Sequence, residues 1–210
     1  MTNTFDKGFW ESHWQHDGEQ VEDERIAPNP YLEIELAGLT PGTALDAGCG
    51  EGAEATWLAT RDWHVTAADI SAEALRRAAA QTDTAAERVE WVEADLSAWQ
   101  PSAQFDLVTT FYAHPAMPQL SFYRRISDWV APGGTLLIVG HLDAGGHGHN
   151  PLREASVTAA SVRAVLDSSR WHVVTAEEHD RTLNDRSGRP VSLRDVVVRA
   201  TRHTSHSPLG

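Results

Sequence analysis

The sequence predicts an α/β fold: a doubly wound, seven-stranded, mainly parallel sheet with a C-terminal antiparallel hairpin. Three observations carry that prediction. Short apolar runs alternate with helical patterns from residue 43 to residue 167, the signature of βαβ units. The first apolar run stops in Gly48-Cys49-Gly50-Glu51-Gly52, the way a buried strand hands over to a helix against a ligand. No helical pattern separates the last two apolar runs, so they are expected to pair as antiparallel neighbours.

Residues 43–47 form the first strand and residues 51–61 its helix. Residues 64–69 are the second strand, and Ser71 is placed to cap the alanine-rich helix behind it, with Glu73 in that helix's positive first turn. The third strand runs from about residue 88 to 94 and the fourth from 105 to 111. A helix follows in which Leu120, Tyr123, Ile126 and Val130 recur at three- and four-residue intervals. Pro132-Gly133-Gly134 turns the chain into a fifth strand at 135–141. The loop from Leu142 to Arg153 is the longest break in the pattern, and a helix at 158–167 follows it. Residues 171–176 and 191–200 are the last strands, joined by the polar run Asn184-Asp185-Arg186-Ser187-Gly188. A chain of 210 residues fits one compact domain, with residues 1–38 as a helical cover, 39–202 as the ligand-binding body and 203–210 as a loose tail.

Composition narrows the function. With 17 basic against 30 acidic residues the formal charge is −13, which opposes approach to a nucleic-acid backbone or an anionic membrane. The single cysteine, Cys49, cannot form an internal disulfide and suits a reducing compartment. No apolar run approaches the roughly 20 residues that cross a bilayer, and no leader pattern opens the chain, so a cytoplasmic location is expected. The expected partner is a small molecule, with the chain as monomer or homodimer.

The ligand follows from the acids. Gly48, Gly50 and Ala53 also fit the spacing of a dinucleotide turn, so the glycines alone do not choose. Asp46 and Glu51 repel a pyrophosphate and welcome a ligand with an ammonium and a sulfonium. In open α/β sheets ligands sit beyond the carboxyl ends of the strands. Asp69 ends strand two, 19 residues after Gly50, near the offset at which an acid reaches a ribose. Strand three ends in Glu93-Ala94-Asp95-Leu96, and strand four in Thr110-Phe111-Tyr112-Ala113-His114-Pro115.

Asp46-x-Gly48-x-Gly50-x-Gly52 resembles motif I of the class I S-adenosylmethionine (SAM)-dependent methyltransferases, and the resemblance runs from about residue 39 to 202. It implies a Rossmann-like sheet whose last strand lies antiparallel between the fifth and sixth. It implies SAM as cofactor, leaving as S-adenosylhomocysteine (SAH), held by Asp46, Gly48, Cys49, Gly50, Gly52, Asp69, Ile70, Asp95, Leu96, Thr110 and Phe111. Within that set Asp69 is the ribose acid, Asp95 accepts from the adenine amino group, and the Leu96 N–H donates to the ring. Tyr112, His114 and His141 flank the expected reaction centre, with either histidine as candidate base where the acceptor is a hydroxyl or an ammonium.

Trp10 and Trp14, four residues apart, share one face of a helix and are expected to close over the ligand as a substrate-side lid. With Ala27-Pro28-Asn29-Pro30 this segment resembles the N-terminal cover of the thiopurine, tellurite-resistance and halide/thiol methyltransferases. Val21-Glu22-Asp23-Glu24-Arg25 stands where such enzymes often carry a tryptophan-aspartate step. Cys49 is expected to pack rather than react. His141, Asp143, His147 and His149 match no metal-ligand spacing, and no metal is expected.

The expected function is methyl transfer from SAM to an S, N or O nucleophile of a small molecule. An NAD-dependent oxidoreductase shares the sheet and the glycines but gives no reason for Asp46, Glu51 or Asp95. A non-catalytic SAM-binding module is the other alternative. Tyr112-Ala113-His114-Pro115 departs from the Asn/Asp-Pro-Pro-aromatic run of DNA amino-methyltransferases.

Overall fold

A sheet buried on both faces organises the molecule. The structure, a computed structural model, describes residues 5–17, 27–82, 86–142, 156–184 and 190–204. Its strands are β1 (Thr43–Ala47), β2 (His64–Asp69), β3 (Val89–Glu93), β4 (Phe105–Phe111), β5 (Val130–His141), β6 (Trp171–Asn184) and β7 (Pro190–Arg202). They lie in the order β3-β2-β1-β4-β5-β7-β6, with β7 antiparallel between β5 and β6. This is the doubly wound sheet with a closing hairpin that the sequence predicts. The order reverses beside β1, so the carboxyl ends of β1 and β4 open a crevice between them.

The helices are α1 (Lys7–Asp17), α2 (Tyr31–Glu35), α3 (Ala53–Ala59), α4 (Ala72–Gln81), α5 (Gln119–Ser127) and α6 (Ala159–Val165). Leu32 and Leu36 beside α2, with Leu58 of α3 and Leu75 of α4, cover one face of the sheet. Phe122, Tyr123 and Ile126 of α5, Trp129 just after it, and Val162 of α6 cover the other. Helix α2 thus belongs to the core, whereas α1 lies over the strand ends. The central strands read as unbroken apolar runs because neither face meets water; Val196, Val197 and Val198 are all fully buried.

The structure departs from the sequence expectation at element ends. Helix α3 starts at Ala53, after Gly52 at φ +74, and stops at Ala59 before a turn that puts Asp62 at φ +66. Helix α5 ends at Ser127, and Val130 opens β5 opposite Phe105 instead of closing the helix. Pro132-Gly133-Gly134 lies inside β5 as an irregularity, where pairing jumps from Val130 to Thr135. A side chain on Gly134 would sit 2.9 Å from the carbonyl oxygens of Ala131 and Asp106. Strand β6 runs on to Asn184, well past residue 176, because it is an edge strand whose polar sequence hides the strand pattern. Ser71 caps α4, accepting from the Ala74 N–H at 3.2 Å.

Among the described residues no helix is long and apolar enough to cross a membrane. Nor do three or more His, Cys, Asp or Glu side chains among them gather as a metal site. Asp143, His147 and His149 lie outside the described residues, as do Val21 to Arg25.

Candidate active site

The glycine turn after β1 is fastened to the end of β2. The Gly48 and Cys49 N–H groups both donate to the Ala68 carbonyl, at 2.8 and 3.1 Å. Asp69 accepts from the Gly50 N–H on one oxygen and from the Ser71 N–H on the other, each at 2.9 Å. One carboxylate thus sets the turn and the start of α4 together. Gly48 and Gly52, at φ +82 and +74, are required twice over. A Cβ at Gly48 would come within 2.3 Å of the Ala113 Cβ, and one at Gly52 within 2.4 Å of the Trp91 ring.

A cavity of about 290 Å³ opens over this turn, at the small end of ligand sites. Gly48, Cys49, Gly50, Gly52, Asp69, Ile70, Asp95, Leu96 and Phe111 all line it, as do Tyr112, His114, Trp10 and Trp14. Asp46, Thr110 and His141 do not. Asp46 is buried beneath the turn, Thr110 donates to the Ala47 carbonyl at 2.8 Å within the sheet, and His141 packs behind Tyr112 and His114. Phe5, Glu51, Ala53, Glu54, Ala94, Ala113 and Pro115 complete the lining.

The acid balance of the cavity differs from the sequence expectation at Glu51. That carboxylate is paired with Arg77 at 3.3 Å, so its charge is largely met. Glu54, in the first turn of α3, takes its place. Burial pushes the Glu54 carboxyl up, although it accepts from the Asn29 N–H at 3.0 Å. Asp46 is pushed well up by burial and then by the negative charge of Glu54. One of its oxygens accepts from Thr109 Oγ1 at 3.0 Å; the other is buried with no hydrogen-bond partner. Asp69 is also raised, mainly by burial. Two buried carboxylates that sense each other's charge, an oxygen with no hydrogen-bond partner and bare backbone make a cradle for a cation. Cys49 is no nucleophile: burial, with Asp69 next, pushes its thiol well above the usual range.

Helix α1 closes one side. Glu11 accepts from the Ala72 N–H at 2.8 Å and from Ser71 Oγ at 3.2 Å, serving as an added cap on α4. Trp10 Nε1 donates to the His114 carbonyl at 3.3 Å, and Lys7 pairs with Glu93. The Trp14 ring lies where any side chain on Gly50 would need to go, 3.1 Å from an added Cβ.

On the opposite wall, Tyr112 holds φ +52, a strained setting for an aromatic residue. Its hydroxyl donates to Asp195 at 2.8 Å and accepts from Arg181 at 2.7 Å. Tyr31 donates to the same carboxylate at 3.2 Å, and Arg181 pairs with it. The His114 ring lies between Phe5 and His141, 5.5 Å from each ring centre. Burial pushes His114 down to about 4 and lowers His141 as well.

Residues 44–134 match the family described as "Methyltransferase domain". That match covers a little under half of the chain, and over it the sequence is similar to methyltransferase domains. An uncharacterised methyltransferase of Mycobacterium tuberculosis is 43% identical over 116 residues, 53% of this chain and 58% of its own length. This chain thus spans a little over half of that relative. Thiocyanate methyltransferase 1 of Arabidopsis thaliana is 25% identical over 194 residues, covering 90% of this chain and 84% of its own. In fold, the N-methyltransferase NodS of Bradyrhizobium japonicum, solved with SAH, superposes with a TM-score of 0.65 at 18% identity, covering 91% of this chain and 97% of that one. The Rossmann-like fold of such methyltransferases agrees with what the sequence implies.

Glu54 and Phe5 on the cavity wall, and Glu11 bracing α1 against α4, are the residues that sequence reasoning missed. Glu54 carries a readable signal, an acid in the first turn of the helix behind the glycine turn. Glu11 and Phe5 carry none, because the partners that tie them to the site, Ala72 and His114, lie more than a quarter of the chain away.

Proposed function

We propose that the chain transfers the methyl group of SAM to a small-molecule nucleophile. The buried carboxylates Asp46, Glu54 and Asp69 around a bare-backbone turn carry this reading, since they favour a cationic amino-acid nucleoside and oppose a pyrophosphate. In it, Glu54 holds the ammonium end with the Asp46 charge buried behind it, Asp69 the ribose, and Asp95 with the Leu96 N–H the adenine. Ile70 and Phe111 supply apolar walls, and Thr110 acts from behind, by fixing β1 against β4. Trp10 and Trp14 exclude water and face a sulfonium with their rings. The bound cofactor supplies an activated methyl group; the protein's work is to hold the acceptor in line behind it in a dry cavity. The acceptors named for relatives, thiocyanate for one of them, support a small molecule.

Incubating the full chain with radiolabelled SAM and a panel of thiols, phenols, amines and soft anions is expected to label at least one small product. A panel that stays unlabelled while SAH binds would reduce the chain to a SAM-binding module.

The raised carboxylates give a second test. A carboxyl whose folded pKa lies above its unfolded value favours the folded state while protonated, and that contribution is lost as pH rises from about 4 through the raised value. A bound ammonium favours the ionised form and offsets the loss. The rise in Tm produced by saturating SAH is therefore expected to grow between pH 5 and pH 8, on the order of several degrees. A shift independent of pH would mean that Asp46, Glu54 and Asp69 do not sense the ligand's charge.

A further inference from the structure

The acceptor wall holds a histidine whose tautomer is fixed from outside the cavity. Gln119, the first residue of α5, is 7% exposed. Its amide nitrogen donates to the Ala113 carbonyl at 2.9 Å, and a carbonyl can only accept. The amide oxygen of Gln119 must therefore face His114, 3.3 Å from Nδ1. A neutral imidazole has one N–H, and an oxygen opposite Nδ1 keeps it there. Nε2 is left with a bare lone pair, and it is buried with no hydrogen-bond partner.

The charges around this nitrogen are one-sided. Among the described residues lining the cavity are Glu51, Glu54, Asp69 and Asp95, and no lysine or arginine. Arg77 lies outside and is paired with Glu51 and Glu73; Lys7 is paired with Glu93. Behind Tyr112 and His141, Arg181 is paired with Asp195. An anionic acceptor finds carboxylates and, among the described residues, no unpaired cation on the cavity wall, whereas a neutral acceptor carrying a proton can pair with an acceptor nitrogen that has no hydrogen-bond partner.

From this geometry we infer that the acceptor is a neutral X–H compound, a thiol or phenol in its protonated form, whose proton passes to His114 Nε2, and that Gln119 is the positioning residue that keeps that nitrogen bare. The inference rests on the methyl-transfer reading above and deepens it. In the step, a lone pair of X forms the X–CH₃ bond and the sulfonium–methyl bond breaks with its pair left on sulfur. The X–H bond breaks with its pair left on X, and its proton goes to Nε2. A base held near 4 is weak, yet it suffices, because X–H becomes strongly acidic as the methyl bond forms. Phe5, Trp10, Phe111 and Pro115 offer the acceptor's body an apolar bed.

The test uses the full chain, with SAH titration and thermal melting as folding controls. Long-range proton–nitrogen NMR of the histidine rings at pH 7 is expected to show His114 with its proton on Nδ1, and Gln119→Leu is expected to release that preference. Turnover of a neutral aryl or alkyl thiol is expected to fall 10- to 100-fold in Gln119→Leu while SAH affinity stays within about 2-fold. In the unaltered chain kcat/KM for the thiol is expected to exceed that for thiocyanate or iodide by at least 100-fold, and to fall above the thiol's own pKa, about 8.5 for an alkyl thiol. Thiocyanate or iodide turned over as fast as the thiol, a proton found on Nε2, or unchanged turnover in Gln119→Leu would overturn the inference. Loss of SAH binding in the unaltered chain, or no methylated product from any acceptor, would instead strike the methyl-transfer reading itself.

Discussion

Asp69→Ala is expected to raise the dissociation constant for SAH at least 100-fold while the chain remains folded. The carboxylate anchors the turn by accepting the Gly50 and Ser71 N–H groups, and it faces the cavity where a ribose would sit. Hydrogen bonds to a charged group contribute about 1.5–3 kcal/mol each, so losing the ligand's share alone approaches the roughly 2.7 kcal/mol that 100-fold requires. The turn loses its tether to β2 as well. Stability changes less, because burial already makes the Asp69 charge costly and its removal relieves that cost. Isothermal titration with SAH, beside a thermal melt, separates the two effects. Affinity within 5-fold of the unaltered chain would show that Asp69 serves only the turn.

Asp195→Ala is expected to cost about 3–5 kcal/mol of stability, the largest loss for a polar side chain in this molecule. Asp195 is fully buried on β7 and gathers Tyr31 from α2, Tyr112 from beyond β4 and Arg181 from β6. Alanine leaves the Arg181 guanidinium partly buried and unpaired, and frees the strained Tyr112 backbone of its tether. For a chain of this size the loss corresponds to a fall in Tm of roughly 6–20 °C. Adding Arg181→Met to Asp195→Ala is expected to recover part of it, since the unpaired charge is then gone. A fall of less than 2 °C in the single variant would show that the network is not a structural clasp.

Much of the fold was legible because its signals are local. The run of residues 43–52 shows a strand, a turn and a helix start within one short window, and the Ser71 cap needs only its own helix. Asp69 could be placed because a strand end and a fixed offset point to it. The misread pieces depend on partners far along the chain. Val130 fits a helical spacing, but Phe105 on the neighbouring strand claims it for β5. The outer half of β6 has the composition of a loop and becomes a strand only against β7. In the site, the glycine motif points to Glu51, and only the fold shows that Arg77 pairs with it and that Glu54 also faces the cavity. His141 ends a strand at the right edge, yet Tyr112 and His114 stand in front of it. The Gln119 contact with His114 joins a helix start to a strand-end loop, and side-chain packing alone reveals it.

Titrating the purified chain with SAH and, separately, with NAD by isothermal calorimetry tests most directly whether buried carboxylates around the glycine turn select a cationic amino-acid nucleoside. SAH is expected to bind at one site per chain with a dissociation constant in the micromolar range or tighter, about −8 kcal/mol or more favourable, and NAD at least 100-fold more weakly. Saturable binding of NAD with no heat from SAH would contradict it.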